Sequence, residues 1–444
     1  MDDSLNDRTR SRFSRMRFLW ADLAPGLRLY TSLVVLITAI TAISLPYYHY
    51  RYNDAARVGL RSIPADMFGD FWHYRQLFAF LHTQAFFTSV DRFAYPAPCA
   101  VLYELFFSTH FPHLIYTVML VAVLLVAAFT FYRMLLRHGM QQLDAILLAG
   151  FLALTSYPWQ KLYDRSNLEL FVFVFLATGL WAYLSGRQQL AAVLWACGGA
   201  LKIYPLVMLA IFISKRAIRP LLAGLFTFAA VLVLSFWYVG PTIKIAALGS
   251  LHGITGFVGN YAGTAHLNEL NIDHSILGAT KELLLLAWWH PGPWVHLSIM
   301  YQATVAVAIP TLFFGWIRKL PVVNQLCLMV LSIVLLPPVS YDYTLIHVYF
   351  VIWVVVAAYL SSLRRSQPIA KANTYFVLFG LLSSSEGWFQ VFGLQLNGVV
   401  KCVCLLILAG LLLRFPLTMD DQSTEAVPSG RITGSRRLAF RAGR

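Results

Sequence analysis

The sequence predicts an all-α, polytopic membrane protein with about 11–12 transmembrane segments, one hairpin among them broken. Three observations predict it. Of 444 residues, 59% are hydrophobic and 12% charged, and the apolar residues gather into many stretches of about 18, the length that crosses a hydrocarbon core about 30 Å thick. Most Lys and Arg of the short connectors fall at alternate breaks, while the other breaks carry Asp70, Asp164, Arg165, Asn167, Lys202, Asp273, His274 and Asp342. No stretch alternates in the manner of a barrel strand, so the spans are helices, which satisfy their own backbone hydrogen bonds.

The elements follow in order. Arg8, Arg10, Arg12, Arg15 and Arg17 form a basic N-terminal segment, 1–26, read as cytoplasmic. A full-length apolar stretch, 27–48, follows without a small-residue cleavage site and reads as a retained anchor. A long outer segment, 49–111, mixes polar and aromatic residues and should hold one or two interfacial helices, the clearest opening at Asp66–Arg75. Spans at 112–134 and 143–157 lead to an outer turn, Tyr157–Asn167, and a span at 168–184 returns to Gly186-Arg187. Only the 27 residues 188–214 separate Arg187 from Lys215, whereas two crossings need about 40. Two short helices meeting at a break fit better. The break is Leu201-Lys202-Ile203-Tyr204-Pro205, where Pro205 lacks a backbone donor. This puts Lys202 at the tip of a broken hairpin, where a charge costs at least about 2.5–3.5 kcal/mol unless it faces a polar cavity. Further spans at 218–238, 298–316, 322–336, 345–362, 374–392 and 397–413 surround a second outer loop, 240–297, and the break Pro337–Tyr343. A Ser-, Thr-, Gly- and Arg-rich tail, 415–444, reads as cytoplasmic and disordered. The piece from 27 to 414 is one integral membrane domain.

The net charge of +14 is accounted for by the positive-inside bias and two basic tails, so no nucleic-acid partner is implied. Cys99, Cys197, Cys327, Cys402 and Cys404 show no zinc or disulfide spacing. His82, His110, His113, His290, His296 and His347 are scattered without a metal-ligand pattern, and no nucleotide fingerprint exists. Neither metal nor cofactor is expected.

The polar residues of the outer side carry the chemistry. Asp70, framed by Phe71, Trp72 and Tyr74, suits a base that takes a proton from a hydroxyl; it equally suits an N-cap or dipole partner of its helix. Lys202 with Arg165 suits an anion, plausibly a phosphate; Lys202 alternatively snorkels or pairs with Asp164. Asn167 and Glu169 head a span and orient neighbours. Asp273-His274 fits either a polar ligand or a loop hydrogen bond, and Asp342 fits either the site or a helix cap.

Five segments in order carry a resemblance: Gly69-Asp70-Phe71-x-x-Tyr74; Phe93-Ala94-Tyr95-Pro96-Ala97-Pro98; Asp164-Arg165-x-Asn167; Ala200-Leu201-Lys202-Ile203-Tyr204-Pro205; and Leu336-Pro337-Pro338-Val339-Ser340-Tyr341-Asp342-Tyr343. Together they resemble glycosyltransferase family 87, polyprenol-phosphate-mannose-dependent α-mannosyltransferases of GT-C architecture, from about residue 30 to 410. The resemblance implies an enzyme that draws a sugar from a polyprenyl-phosphate donor in the outer leaflet, with Asp70 as catalytic base and the Lys202–Pro205 segment lining the cavity. Lys202, Arg165, Asn167 and Tyr204 then fall to the donor, and Tyr74, Asp273, His274 and Asp342 to the acceptor or accessory roles. The chain departs from the family at Tyr341-Asp342-Tyr343-Thr344, where many members show Trp-x-His-His. The expected partners are the donor, a lipid or glycan acceptor and membrane lipids. The expected location is the plasma (bacterial inner) membrane, with both termini cytoplasmic and the site extracytoplasmic.

Rival readings are a solute transporter or lipid flippase, which also uses broken helices and intramembrane charge, and a ligase acting at the outer face. Internal repeats and midplane sites would mark the transporter; the sequence instead gathers its polar groups at one face.

Overall fold

A computed structural model describes residues 25–36, 39, 68–88, 93–265, 267–287, 294–364, 369–384 and 396–417. Most of the basic N-terminal segment, most of 37–67 and the tail beyond 417 lie outside the described residues, as do 385–392 of the tenth expected span. Among the described residues there is no strand; an isolated bridge joins Asp273 to Tyr341.

The helices are α1 (25–36), α2 (Gly69–Arg75), α3 (Ala97–Phe107), α4 (Pro112–Arg137), α5 (Gln142–Thr155), α6 (Tyr157–Arg165), α7 (Glu169–Leu184) and α8 (Gln188–Leu201). They continue with α9 (Ile218–Val239), α10 (Ile243–Phe257), α11 (Ile276–Leu286), α12 (Trp294–Gly315), α13 (Val322–Leu335), α14 (Val348–Arg364), α15 (Ala372–Ser383) and α16 (Asn397–Arg414). Among the described residues five helical stretches are long and apolar enough to cross a membrane: α4, α9, Trp294–Lys319, Asp342–Leu363 and α16. The other apolar helices, α3, α5, α7, Tyr204–Ser214, α13 and α15, are shorter. The all-α membrane architecture expected from the hydropathy pattern is therefore the one observed.

Burial separates centre from periphery. Across an apolar 18-residue window, 83% of Asp342–Leu363 is buried, against 17% for α4 and for α9. Most exposed side chains of those outer helices are apolar, among them Val118, Leu125, Phe129, Leu222, Phe226 and Leu234. In water such surfaces would be a liability; against lipid tails they are the natural outer face. The inner helix α13 is buried nearly all round, from Asn324 to Leu335.

Two features position the site. The hairpin break falls where the sequence places it: α8 ends at Leu201, Lys202 is extended (φ −143°, ψ 126°), and a 3-10 turn, Tyr204–Leu209, leads into Ala210–Ser214. Each leg reaches roughly 20 Å, short of the ~30 Å core. Lys202 therefore stops at depth, not beyond the far surface. The segment read as an outer turn, Tyr157–Asn167, is instead mostly helix α6. Pro158 sits in its first turn, where a missing N–H costs nothing, and Ser166 in the left-handed region (φ 52°) ends it. The second outer loop, 240–297, likewise folds into α10 and α11 rather than open loop.

Helix α8 packs against both α7 and α9. Helix α7 runs to Arg187, α8 returns to Lys202, and the leg 204–214 runs back to Lys215. Helix α9 therefore starts beside the start of α8, where a Cβ at Gly224 would lie 3.2 Å from the Ala192 carbonyl oxygen. The connectors Arg187 and Lys215-Arg216 thus lie at one end of the bundle, and Glu169 and Lys202 at the other.

Candidate active site

Asp70 lies in α2, a helix that Phe68 starts in the left-handed region (φ 64°) with no side-chain cap. Asp70 is thus not the N-cap. Its carboxylate points inward, 5% exposed, and meets three donors. Arg165 Nη2 donates to Oδ1 at 3.1 Å. Asn167 Nδ2 donates to Oδ2 at 2.5 Å, and the Tyr95 hydroxyl to the same oxygen at 3.2 Å. The Phe68 N–H donates to the Asp164 carbonyl at 2.7 Å, tying the start of α2 to the end of α6. Two non-glycine residues with positive φ, Phe68 and Ser166, thus flank the contact between Asp70 and Asn167. Such conformations cost about 1–3 kcal/mol each and persist where surrounding structure enforces them, commonly at functional sites.

Asn167 joins the carboxylate to the lysine. While its Nδ2 holds Asp70, its Oδ1 accepts from Lys202 Nζ at 2.9 Å and from the Glu169 N–H at 2.9 Å. Asp70 and Lys202 therefore stand one amide group apart. Lys202 does not pair with Asp164, which is bound to Lys161 at 3.3 Å; it pairs with Glu169 Oε2 at 2.5 Å. Glu169 is fully buried and also accepts from His347 Nε2 at 2.6 Å and from the Tyr204 hydroxyl. A buried carboxylate without such donors would be prohibitively costly. The rings of Tyr95 and Tyr343 flank the ammonium, their centroids 5.4 and 5.2 Å from Nζ.

Lys202, Tyr95, Tyr204 and Tyr343 form the polar end of a cavity of about 470 Å³. Its remaining walls are mostly apolar: Phe228, Leu232 and Phe236 of α9, Leu251, Ile254 and Phe257 of α10, and Pro337-Pro338. Asp70 does not line it directly and reaches its polar end through Tyr95 and Asn167. The Asp70 carboxylate pushes the Arg165 guanidinium pKa up, so that cation stays charged. Burial, reinforced by Asp70, pushes the Tyr95 phenol well above its ordinary value, so it remains a donor.

Of the residues singled out from sequence, Asp70, Arg165, Asn167, Lys202 and Tyr204 come together here. Arg165 is spent on Asp70 rather than free beside Lys202. Tyr74 is packed among Phe93, Tyr95 and Tyr103. Asp273 holds the backbone N–H groups of Ser275 and Ser340 at 3.0 and 2.9 Å, the loop hydrogen bonds of its bland alternative. His274 bonds Ser340 and Thr344, each at 3.2 Å, and Asp342 pairs with Lys401 at 3.0 Å. Asp273, His274 and Asp342 are buried and off the cavity wall. Sequence reasoning missed the roles of Tyr95, Glu169, His347 and Lys401. The available signal was that a Lys and a Glu in apolar surroundings each require a partner. Among the described residues no three His, Cys, Asp or Glu side chains are grouped to hold a metal ion.

No curated protein and no solved structure matches the chain. A family model for glycosyltransferase family 87 matches residues 93–338, which takes in Tyr95, Asn167, Glu169 and Lys202 and begins downstream of Asp70. That stretch covers more than half of the 444 residues, and the chain belongs to glycosyltransferase family 87, a membrane glycosyltransferase.

Proposed function

We propose that the protein moves a hexosyl group, mannosyl as the family resemblance suggests, from a polyprenyl-phosphate donor to a lipid or glycan acceptor, with inversion. One observation carries this reading: Asn167 holds Asp70 one amide away from Lys202, which lies at the polar end of a mostly apolar cavity. A donor with an apolar tail, a phosphate and a sugar matches that sequence of environments. The tail lies against α9 and α10, the phosphate meets Lys202, and the anomeric carbon faces Asp70.

In the reaction the acceptor oxygen attacks the anomeric carbon as the bond from that carbon to the phosphate oxygen breaks. The bonding electrons leave with the phosphate, and the hydroxyl proton passes to Asp70. Lys202 stabilises the departing phosphate, the kind of preorganised electrostatic contribution that dominates many enzymes. Glu169 holds Lys202 in place between turnovers. Arg165 orients Asp70. One displacement needs one carboxylate base and no covalent intermediate. We place this end of the bundle on the extracytoplasmic side of the plasma membrane and both termini in the cytoplasm, because the basic connectors Arg137, Arg187 and Lys215-Arg216 gather at the opposite end.

The test is incubation of the purified protein, in nanodiscs, with a panel of radiolabelled polyprenyl-phosphate sugars and membrane-lipid acceptors. Transfer of one sugar with release of polyprenyl phosphate is expected. Nucleotide-sugar dependence, or lipid movement across the bilayer without transfer, would overturn the reading.

A further inference from the structure

A second cluster likewise joins a carboxylate to a lysine and a histidine. Glu169 gathers Lys202, His347 and the Tyr204 hydroxyl; Asp342 gathers Lys401 at 3.0 Å, His274 at 3.5 Å and the Asn397 amide at 3.2 Å. The difference is access. Lys202 keeps 11% of its side chain exposed, whereas Asp342, Lys401 and His274 have none. Lys401 is roofed by the Tyr157 ring, whose centroid is 4.9 Å from Nζ. A sealed pair touches neither the cavity nor any substrate. Ion pairs at such depth are expensive and are often matched in stability by apolar side chains of similar volume.

What the pair holds gives it meaning. Asp342 opens the 3-10 turn Asp342–His347. The same turn carries Tyr343, whose ring stands over Lys202, Thr344 on the cavity wall and His347, which donates to Glu169. Lys401 comes from α16, whose start is pressed onto the second long loop. A Cβ added at Gly398 would lie 2.4 Å from the Leu270 carbonyl oxygen and 2.6 Å from that of Asp273. Asn397 donates to the Asn271 carbonyl at 2.9 Å as well as to Asp342. The turn is thus gripped from behind by α16 and meets the site in front.

We infer that Lys401 and Asp342 are positioning residues: their sealed ion pair fixes the 342–347 turn so that Tyr343 and His347 meet Lys202 and Glu169. The inference rests on the proposed transferase reading for its catalytic consequence. Neither residue touches the donor. Their joint replacement should leave the fold and donor affinity largely intact and slow turnover, because small misplacements at a reacting centre cost roughly tenfold to a hundredfold.

The test compares wild type, K401M, D342N, the neutral pair D342N/K401M and the charge-conserving K401R in nanodiscs. Thermal unfolding, turnover, donor KM and polyprenyl phosphate affinity are read for each. Single neutral variants should lose stability, since each strands a buried partner. The neutral pair should recover most of it while turnover stays at least about tenfold down with KM little changed. Wild-type turnover in the neutral pair would make the ion pair purely structural and overturn the inference. Should the neutral pair fail to fold, K401R decides: it keeps the charge but displaces the turn, and an undiminished turnover would again overturn it. A map of the neutral pair, or of K401R, supplies a readout independent of catalysis, with the Tyr343 ring expected to leave its place over Lys202. A ring that stays refutes the positioning role. A wild type inactive with every donor counts against the transferase reading instead.

Discussion

Replacement of Asp70 by Asn separates the chemical role of this carboxylate from any structural one. In the structure Oδ1 is held by Arg165 and Oδ2 by Asn167 and Tyr95, which leaves one lone pair to receive a proton. An amide of the same shape keeps an acceptor oxygen for Asn167 and Tyr95 but has no basicity. A positioned general base contributes a factor of about 10²–10⁴, equivalent to about 2.7–5.5 kcal/mol of barrier at 1.36 kcal/mol per decade. The stability cost is much smaller. The Asp70 side chain is only 7% exposed, but that of Arg165 is 45% exposed and can turn to water when the charge is lost, which holds the cost to about 1 kcal/mol. Asp70→Asn should therefore reduce kcat by at least about a hundredfold while unfolding temperature and polyprenyl phosphate binding stay close to wild type. The assay is sugar transfer alongside thermal unfolding and product titration on one preparation. Full activity in Asp70→Asn would refute the assignment of the base, and a collapse of folding would show Asp70 to be a structural anchor.

Three further outcomes follow. Lys202→Ala should weaken polyprenyl phosphate binding and slow turnover together, read by titration and steady-state kinetics; unchanged constants would remove Lys202 from the phosphate. A Cβ at Gly253 would lie 2.1 Å from the Phe93 carbonyl oxygen, whereas one at Gly256 meets nothing. Gly253→Ala should thus shift the turn bearing Tyr95 and lower both activity and unfolding temperature, and Gly256→Ala, one turn along, should do neither. Burial pushes Glu282 up to about 8 and Lys281 down to about 8. From the ordinary carboxylate range to about pH 8 the folded protein keeps a Glu282 proton that the unfolded chain has shed, so this group's contribution falls as pH rises. Lys281 acts oppositely above that, where the unfolded chain holds the extra proton. Glu282→Gln should flatten the decline of unfolding temperature between about pH 5 and 8, and an unaltered slope would contradict a carboxyl whose proton is held by burial.

What the sequence disclosed, and what it hid, follows from the kind of force involved. Length and hydropathy make spans legible because lipid permits little else. Lys202 was legible because 27 residues between two basic connectors cannot cross twice. Asp70, Asn167 and Lys202 stand far apart in sequence, and their meeting on one amide depends on how α2, α6 and α8 converge, which no spacing encodes. In sequence Glu169 heads a span and orients neighbours, and His347 is one histidine among several; that His347 holds Glu169 while Glu169 holds Lys202 is tertiary. From sequence alone Asp273-His274 fits either a polar ligand or a loop hydrogen bond, and Asp342 either the site or a helix cap. Their charge is used inward, on Ser340, Thr344 and Lys401, because the 340–344 turn lies between them and the cavity. The helical folding of Tyr157–Asn167 was hidden by a proline and a high polar content that also suit a turn.

The central claim is that one donor headgroup is gripped at once from the Asp70 and the Lys202 sides of Asn167. A cryo-electron microscopy map with a non-hydrolysable polyprenyl-phosphate sugar tests it most directly. The account requires phosphate density at Lys202, the tail along α9 and α10, and the anomeric carbon facing Asp70. A headgroup seated elsewhere, or a tail outside that cavity, would contradict it.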